Sequence, residues 1–239
     1  MKKVILIVTS IFLSTTLLSL TMSDNGKAGA TGSPGEVTCH NCHNDFLTNS
    51  GQGSISINSS IFPNGEYTPG STYNMEVYVE KNGMPLFGVD VECLTATVTG
   101  PNAGTLTIAD PVATQIKTST TTVGVSRTNI VHQFNGGNSS GGMFFRFNWT
   151  APPAGTGPVT FYFTGIAANN DGNESGDYVY VDSYNLQENI STDINETFIN
   201  NKNIYFKSID ITGREVDSSF NGFRIDCYTN GSIKKIYKQ

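Results

Sequence analysis

The sequence predicts an all-β protein, an antiparallel β-sandwich, and three observations predict it. Short segments rich in β-branched and aromatic residues recur along the chain, among them "SISINSSI", "YNMEVYVEKNG", "GVDVECLTATVTG", "GTLTIAD", "TNIVHQF", "MFFRFNWTAP", "PVTFYFTGIA" and "YVYVDSYNL". Most alternate apolar with polar residues: in "YNMEVYVE", Met75, Val77 and Val79 share one face while Glu76, Tyr78 and Glu80 share the other. Gly, Pro and Asn turns punctuate them at the spacing of a sandwich, and no long stretch carries helical periodicity.

Taken in order, residues 1–23 read as a secretory signal peptide. Two lysines precede an apolar and hydroxylated run from Val4 to about Met22, and polar residues follow. The rival reading is a membrane anchor, which the run's Ser and Thr residues weaken. Residues 24–54 form a Gly/Pro-rich leader that holds "TCHNCHND" and reads as a flexible approach to the rest. Residues 55–188 carry the strand-like segments and are long enough for one core. Residues 189–239 form a tail of short strands with turns at Thr212-Gly213, Asn221-Gly222 and Asn230-Gly231.

The formal net charge is −6. From Asp24 to Glu188 there are 5 basic and 14 acidic residues, against 7 and 6 from Asn189 to Gln239. An acidic body without a basic cluster argues against nucleic acid and anionic lipid as partners, since both need Lys/Arg patches. His-Glu-x-x-His and P-loop patterns are absent, so the reading leans away from an enzyme.

Cys39, Cys42 and His43 make the Cys-x-x-Cys-His pattern of c-type haem attachment. Two thiols three residues apart add to the two vinyl groups of one haem, and the adjacent imidazole reaches the iron. An exported chain passes through the compartment where such attachment occurs. Three rival readings stay open. One is a Cys39–Cys42 disulfide. Another is a zinc knuckle of both cysteines with His40 or His43, for which adjacent residues strain a tetrahedral shell. The third is no ligand at all. If haem is present, His132 in "NIVHQF" is the candidate sixth ligand, with Met75, Met84 and Met143 as rivals. A hydrogen-bonded core histidine is the plainer role for His132. Cys93 reads as a buried core residue and Cys227 as a tail residue without an evident partner.

Two further patterns carry chemistry. "DGNESGDYVYVD" spaces oxygen-bearing residues as a calcium loop does, with Asp171, Asn173 and Asp177 as ligand candidates. Asp182 stands where that loop requires a bidentate Glu. Trp149, Tyr162 and Phe163 supply aromatic surface for a glycan platform if exposed, and core if not.

Two resemblances follow from these pieces. "IDITGREV", "NGFRIDCYTNGS" and the closing "KKIYKQ" resemble the C-terminal sorting domain of type IX secretion substrates from Bacteroidetes. That resemblance implies a small C-terminal β-sandwich, the type IX machinery as partner, and delivery through the periplasm to the outer-membrane surface or the medium. "TGSPGEVTCHNCHND" with "YTPGSTYNMEVYVE", "GVDVECLTAT" and "FRFNWTAPPAGTGPVTFYFTGIAANNDGNESGDYVY" is similar to the bacterial reeler-like module called choice-of-anchor V. It implies an immunoglobulin-like sandwich and no settled activity. The sequence thus points to a surface β-sandwich carrying haem c for electron transfer or redox sensing, with a redox partner. A cofactor-free adhesion module for a surface glycan or protein, stapled by Cys39–Cys42, is the alternative.

Overall fold

The computed structural model describes residues 25–95, 100–189 and 204–238. The signal-peptide reading of residues 1–23 lies outside them. Among the described residues the strands are β1 (Gly53–Ile57), β2 (Glu66–Tyr67), β3 (Thr72–Lys81), β4 (Leu86–Thr95), β5 (Thr105–Ile108), β6 (Thr114–Thr120), β7 (Ser126–His132), β8 (Gly142–Thr150), β9 (Val159–Ala168), β10 (Tyr178–Glu188), β11 (Tyr205–Asp210), β12 (Glu215–Val216), β13 (Gly222–Tyr228) and β14 (Ile233–Lys238). The helical pieces among them are three-residue 3₁₀ turns. The chain divides into two compact units, residues 1–190 and 191–239.

The first unit is all-β, with two sheets sharing one core, as the alternating segments predict. One has the order β1-β3-β8-β5, the other β2-β10-β9-β4-β7-β6. All pairings are antiparallel except β2, which adds parallel to β10 for two residues. Apolar alternation sets the register: Met75, Val77 and Val79 of β3 and Phe145, Phe147 and Trp149 of β8 face Val89, Val91, Phe161 and Phe163 across the sandwich. Trp149 sits at the centre, fully buried, with the rings of Tyr67, Tyr73, Phe62 and Phe161 around it and its indole N–H donating to the Ala103 carbonyl at 2.8 Å. Trp149 and Phe163 are buried and Tyr162 half-buried, so these three form no exposed aromatic platform. Met75 and Cys93 are core residues, while Met84 and Met143 pack against the core's margin.

The other face of the six-stranded sheet differs from the sequence reading. Residues 25–38 do not form a flexible approach. They lie as a strap against the sheet, tied by hydrogen bonds from β4, β6 and β7. Gly26, Gly29, Gly32 and Gly35 recur every third residue, all with left-handed backbone (φ 59, 85, 77 and 89°). A Cβ on Gly26 would meet the His132 carbonyl at 2.3 Å, and one on Gly29 would meet Ser119 Cβ at 2.9 Å. These glycines serve close approach and positive φ rather than looseness.

In the second unit the described residues form one four-stranded antiparallel sheet, β12-β11-β13-β14, where the sequence reading expects a small sandwich. Gly213 and Gly231 take φ of 85° and 81° at two of the predicted turns.

Candidate functional site

The motif begins where the strap ends. Thr31 and Thr38 bridge across the strap's turn, and Gly32 N–H donates to the Val37 carbonyl at 2.8 Å, which fixes the point of departure. Cys39–Asn41 then coil into a single 3₁₀ turn. The Thr38 hydroxyl caps it by accepting from His40 N–H, and the Cys39 carbonyl accepts from the N–H groups of both Cys42 and His43. The coil makes the two cysteines unequal. Cys42 is exposed; Cys39 is half-buried as a residue, with its sulfur turned inward against the Ala30 carbonyl at 3.9 Å. Burial pushes the Cys39 thiol far above its ordinary range, with the Asp90 carboxyl adding to it. Cys39, Cys42, Cys93 and Cys227 are all free thiols.

His43 is held from the far end of the unit. Its Nδ1 lies 2.7 Å from Asp177 Oδ2, and Asp177, only 1% exposed, accepts the Asn169 N–H on its other oxygen at 3.0 Å. In the tautomer where Nδ1 donates to this carboxyl, the neutral imidazole carries its lone pair on Nε2. Position 177 immediately precedes β10 and turns its carboxylate toward the motif, while the other calcium candidates, Asp171 and Asn173, sit in the loop before it. Asp171 accepts from Asn173 N–H and from the Asn169 amide, and Asn173 accepts from Ser175 N–H. These are loop-closing Asx turns. Among the described residues no group of three His, Cys, Asp or Glu is arranged to hold a metal ion through protein ligands alone.

His132 lies at the end of β7 on the wall of the same cavity. Its Nε2 accepts from Gly26 N–H at 3.1 Å, and its Nδ1 is 3.3 Å from the Val89 carbonyl. The ring fills the space above Gly88, where a Cβ would approach it to 2.9 Å. To ligate a metal through Nε2, the imidazole would have to release the strap at Gly26. The cavity of about 80 Å³ is bounded by Cys39, Cys42, His43, His132, Val89 and Ile166. A second, of about 180 Å³, shares His43, His132, Ile166 and Glu174 and reaches Asp177 and Phe134. Four residues singled out in the sequence, Cys39, Cys42, His43 and His132, therefore border one space, with Asp177 behind His43.

Sequence reasoning missed the polar cluster beneath the strap. Asp90, Glu92, Arg127, Asn129, Thr31 and Ser33 are all buried. Asp90 accepts from Ala30 N–H at 2.7 Å and from the Asn129 amide at 3.0 Å. Arg127 donates to Ser33 Oγ at 2.8 Å and to Glu92 at 3.4 Å, with Glu36 at 4.0 Å. One guanidinium cannot neutralise three carboxyls in so little solvent. Burial raises the Asp90 carboxyl well above the usual range and pushes that of Glu92 up to about 7. Thr31 Oγ lies 2.8 Å from Glu36 and 3.0 Å from Glu92, yet it has one proton for two carboxyls. The available signal was "GVDVECL", where two acids share one face of a strand with no polar neighbour in sequence.

No family model and no curated protein matches the chain. Solved structures do. The human F-spondin reeler domain is 19% identical and aligns with a TM-score of 0.39, covering 59% of this chain and 92% of that one. A cohesin module from a Clostridium perfringens family 33 glycoside hydrolase is 14% identical, with a TM-score of 0.39 over 57% and 96% of the two chains. A DUF4466 family protein from Parabacteroides merdae is 13% identical, with a TM-score of 0.31 over 56% and 42%. The all-β sandwich assignment rests on the chain's own strand pairing and shared core.

Proposed function

We propose that this chain is an exported, surface-delivered β-sandwich protein that carries one c-type haem on Cys39, Cys42 and His43 and serves electron transfer or redox sensing. The observation that carries the reading is the His43–Asp177 pair. A histidine that ligates a metal characteristically gives its other ring N–H to a carboxylate, which fixes tautomer and orientation and raises the basicity of the free nitrogen. His43 has that arrangement beside the two thiols its spacing predicts, and all three border one cavity. Bound haem would supply a one-electron couple. Each thiol would add its S–H across a vinyl double bond, with no atom lost, and His43 Nε2 would face the iron. Asp177 would hold the proton on Nδ1. Cys42 is exposed, so the group would be carried at the surface of the sandwich.

The delivery part rests on the tail's likeness to type IX sorting domains of Bacteroidetes, and the module name on the likeness to choice-of-anchor V. No helix among the described residues is long and apolar enough to cross a membrane.

The test is a pyridine haemochrome spectrum of the full chain, exported in a host that matures c-type cytochromes, beside a Cys39→Ser/Cys42→Ser variant. The expected result is the α-band of thioether-linked haem and the mass gain of one haem, both lost in the variant. A featureless spectrum, with a control cytochrome matured in the same cells, would overturn the reading and leave a cofactor-free adhesion module.

A further inference from the structure

We propose that the strap formed by residues 25–38 is a latch over Cys39. With the strap docked, only Cys42 is open to covalent chemistry; Cys39 is reached when the strap lifts. The grounds are geometric. The strap is tied at its start, where Lys117 donates to the Gly26 carbonyl at 2.8 Å and His132 accepts the Gly26 N–H. It is tied in its middle by Asp90 to Ala30 N–H and by Thr31 to Glu92 and Glu36. It is tied near its turn by Arg127 to Ser33 and by the Ser119 hydroxyl to Glu36. The Ala30 carbonyl that covers the Cys39 sulfur belongs to the best-held part of the strap. Cys42, three residues on, stands beyond the last tie and is exposed.

The latch is a property of the apo chain and holds whatever group the cysteines carry. Resting on the haem reading, it adds an order of events: the Cys39 thioether forms while the strap is lifted, the Cys42 thioether in either state.

The experiment uses the full, reduced chain made without haem-attachment machinery, with Cys227→Ser to remove the tail thiol. It is pulsed with iodoacetamide, from which sulfur displaces iodide while the thiol proton passes to buffer. Mass spectrometry then reads each cysteine, with buried Cys93 as the folded-state monitor. The expected result is Cys42 alkylated at least tenfold faster than Cys39. In Gly29→Val, whose side chain would meet Ser119, Cys39 should speed up about tenfold while Cys93 stays protected. Equal rates for Cys39 and Cys42 in the parent chain overturn the latch, as does a Cys39 rate unchanged in Gly29→Val. If Gly29→Val also opens Cys93, Lys117→Ala, which cuts only the tie at the strap's start, decides by the same ratio. A haem-free chain that still shows the tenfold asymmetry keeps the latch even if the haemochrome test fails.

Discussion

Along β4, consecutive side chains enter opposite sides of one sheet, and both sides are buried for different reasons. Phe87, Val89, Val91 and Cys93 pack against the facing sheet in an apolar core. Asp90 and Glu92 are just as buried, but under a strap of glycine, threonine and serine that meets them through hydrogen bonds. The inner face is non-directional and tolerant of small shifts. The outer face is a set of ties, each needing its partner at a given distance, with ionisable groups among them. One strand thus carries both the packing that makes the sandwich and the wiring that places the motif.

The contrast can be broken from either side. The largest effect should come from the core: Trp149→Ala removes the side chain around which four rings pack, and should cost about 3–5 kcal/mol, read as a drop in unfolding midpoint. Arg127→Ala should come next. It leaves Glu92 and Glu36 beside each other without their cation, at about 3 kcal/mol, and Arg127→Met should recover part of the loss. A pH series addresses the outer face alone. Glu92 binds its proton more tightly in the folded chain than in the unfolded one, so its share of stability is fully present below pH 4.5 and is lost as pH rises through about 7. That share is of order 3 kcal/mol, and Glu92→Gln should flatten the slope of midpoint against pH while Trp149→Ala leaves it unchanged. The smallest effect should be that of Gly35→Ala. The site has room for the methyl group but a left-handed backbone, so about 1–2 kcal/mol is expected by denaturant titration.

How much of this was legible follows the same division. The strands, the inward residues of β3, the burial of Trp149 and the core place of Cys93 could be read because a sheet facing a sheet writes its pattern every second residue. The strap could not, because glycine chosen for positive φ looks the same in sequence as glycine chosen for freedom. The spacing Gly26, Gly29, Gly32, Gly35 was the one regularity available, and composition alone hid it. At the site, Cys39, Cys42, His43 and His132 were named from the sequence, and the fold sets them around one cavity. Asp177 was named for calcium and stands behind His43 instead. Its role depends on a loop from Asn169 to Asp177 bending toward the motif, and no local pattern records that.

The separation of His43 from Asp177, 134 residues along the chain, has a consequence for synthesis. A polypeptide made and threaded from its N-terminus presents the motif early and the carboxylate only when the last strand of the sandwich arrives. The strap has its seat once β4, β6 and β7 have been made, and the histidine only when Asp177 follows them. The growing chain thus passes through a period in which both thiols are open, which ends when β4, β6 and β7 seat the strap, and a longer one in which the imidazole is unoriented, which ends when Asp177 arrives. Truncation anywhere before Asp177 would leave a molecule unable to hold its histidine.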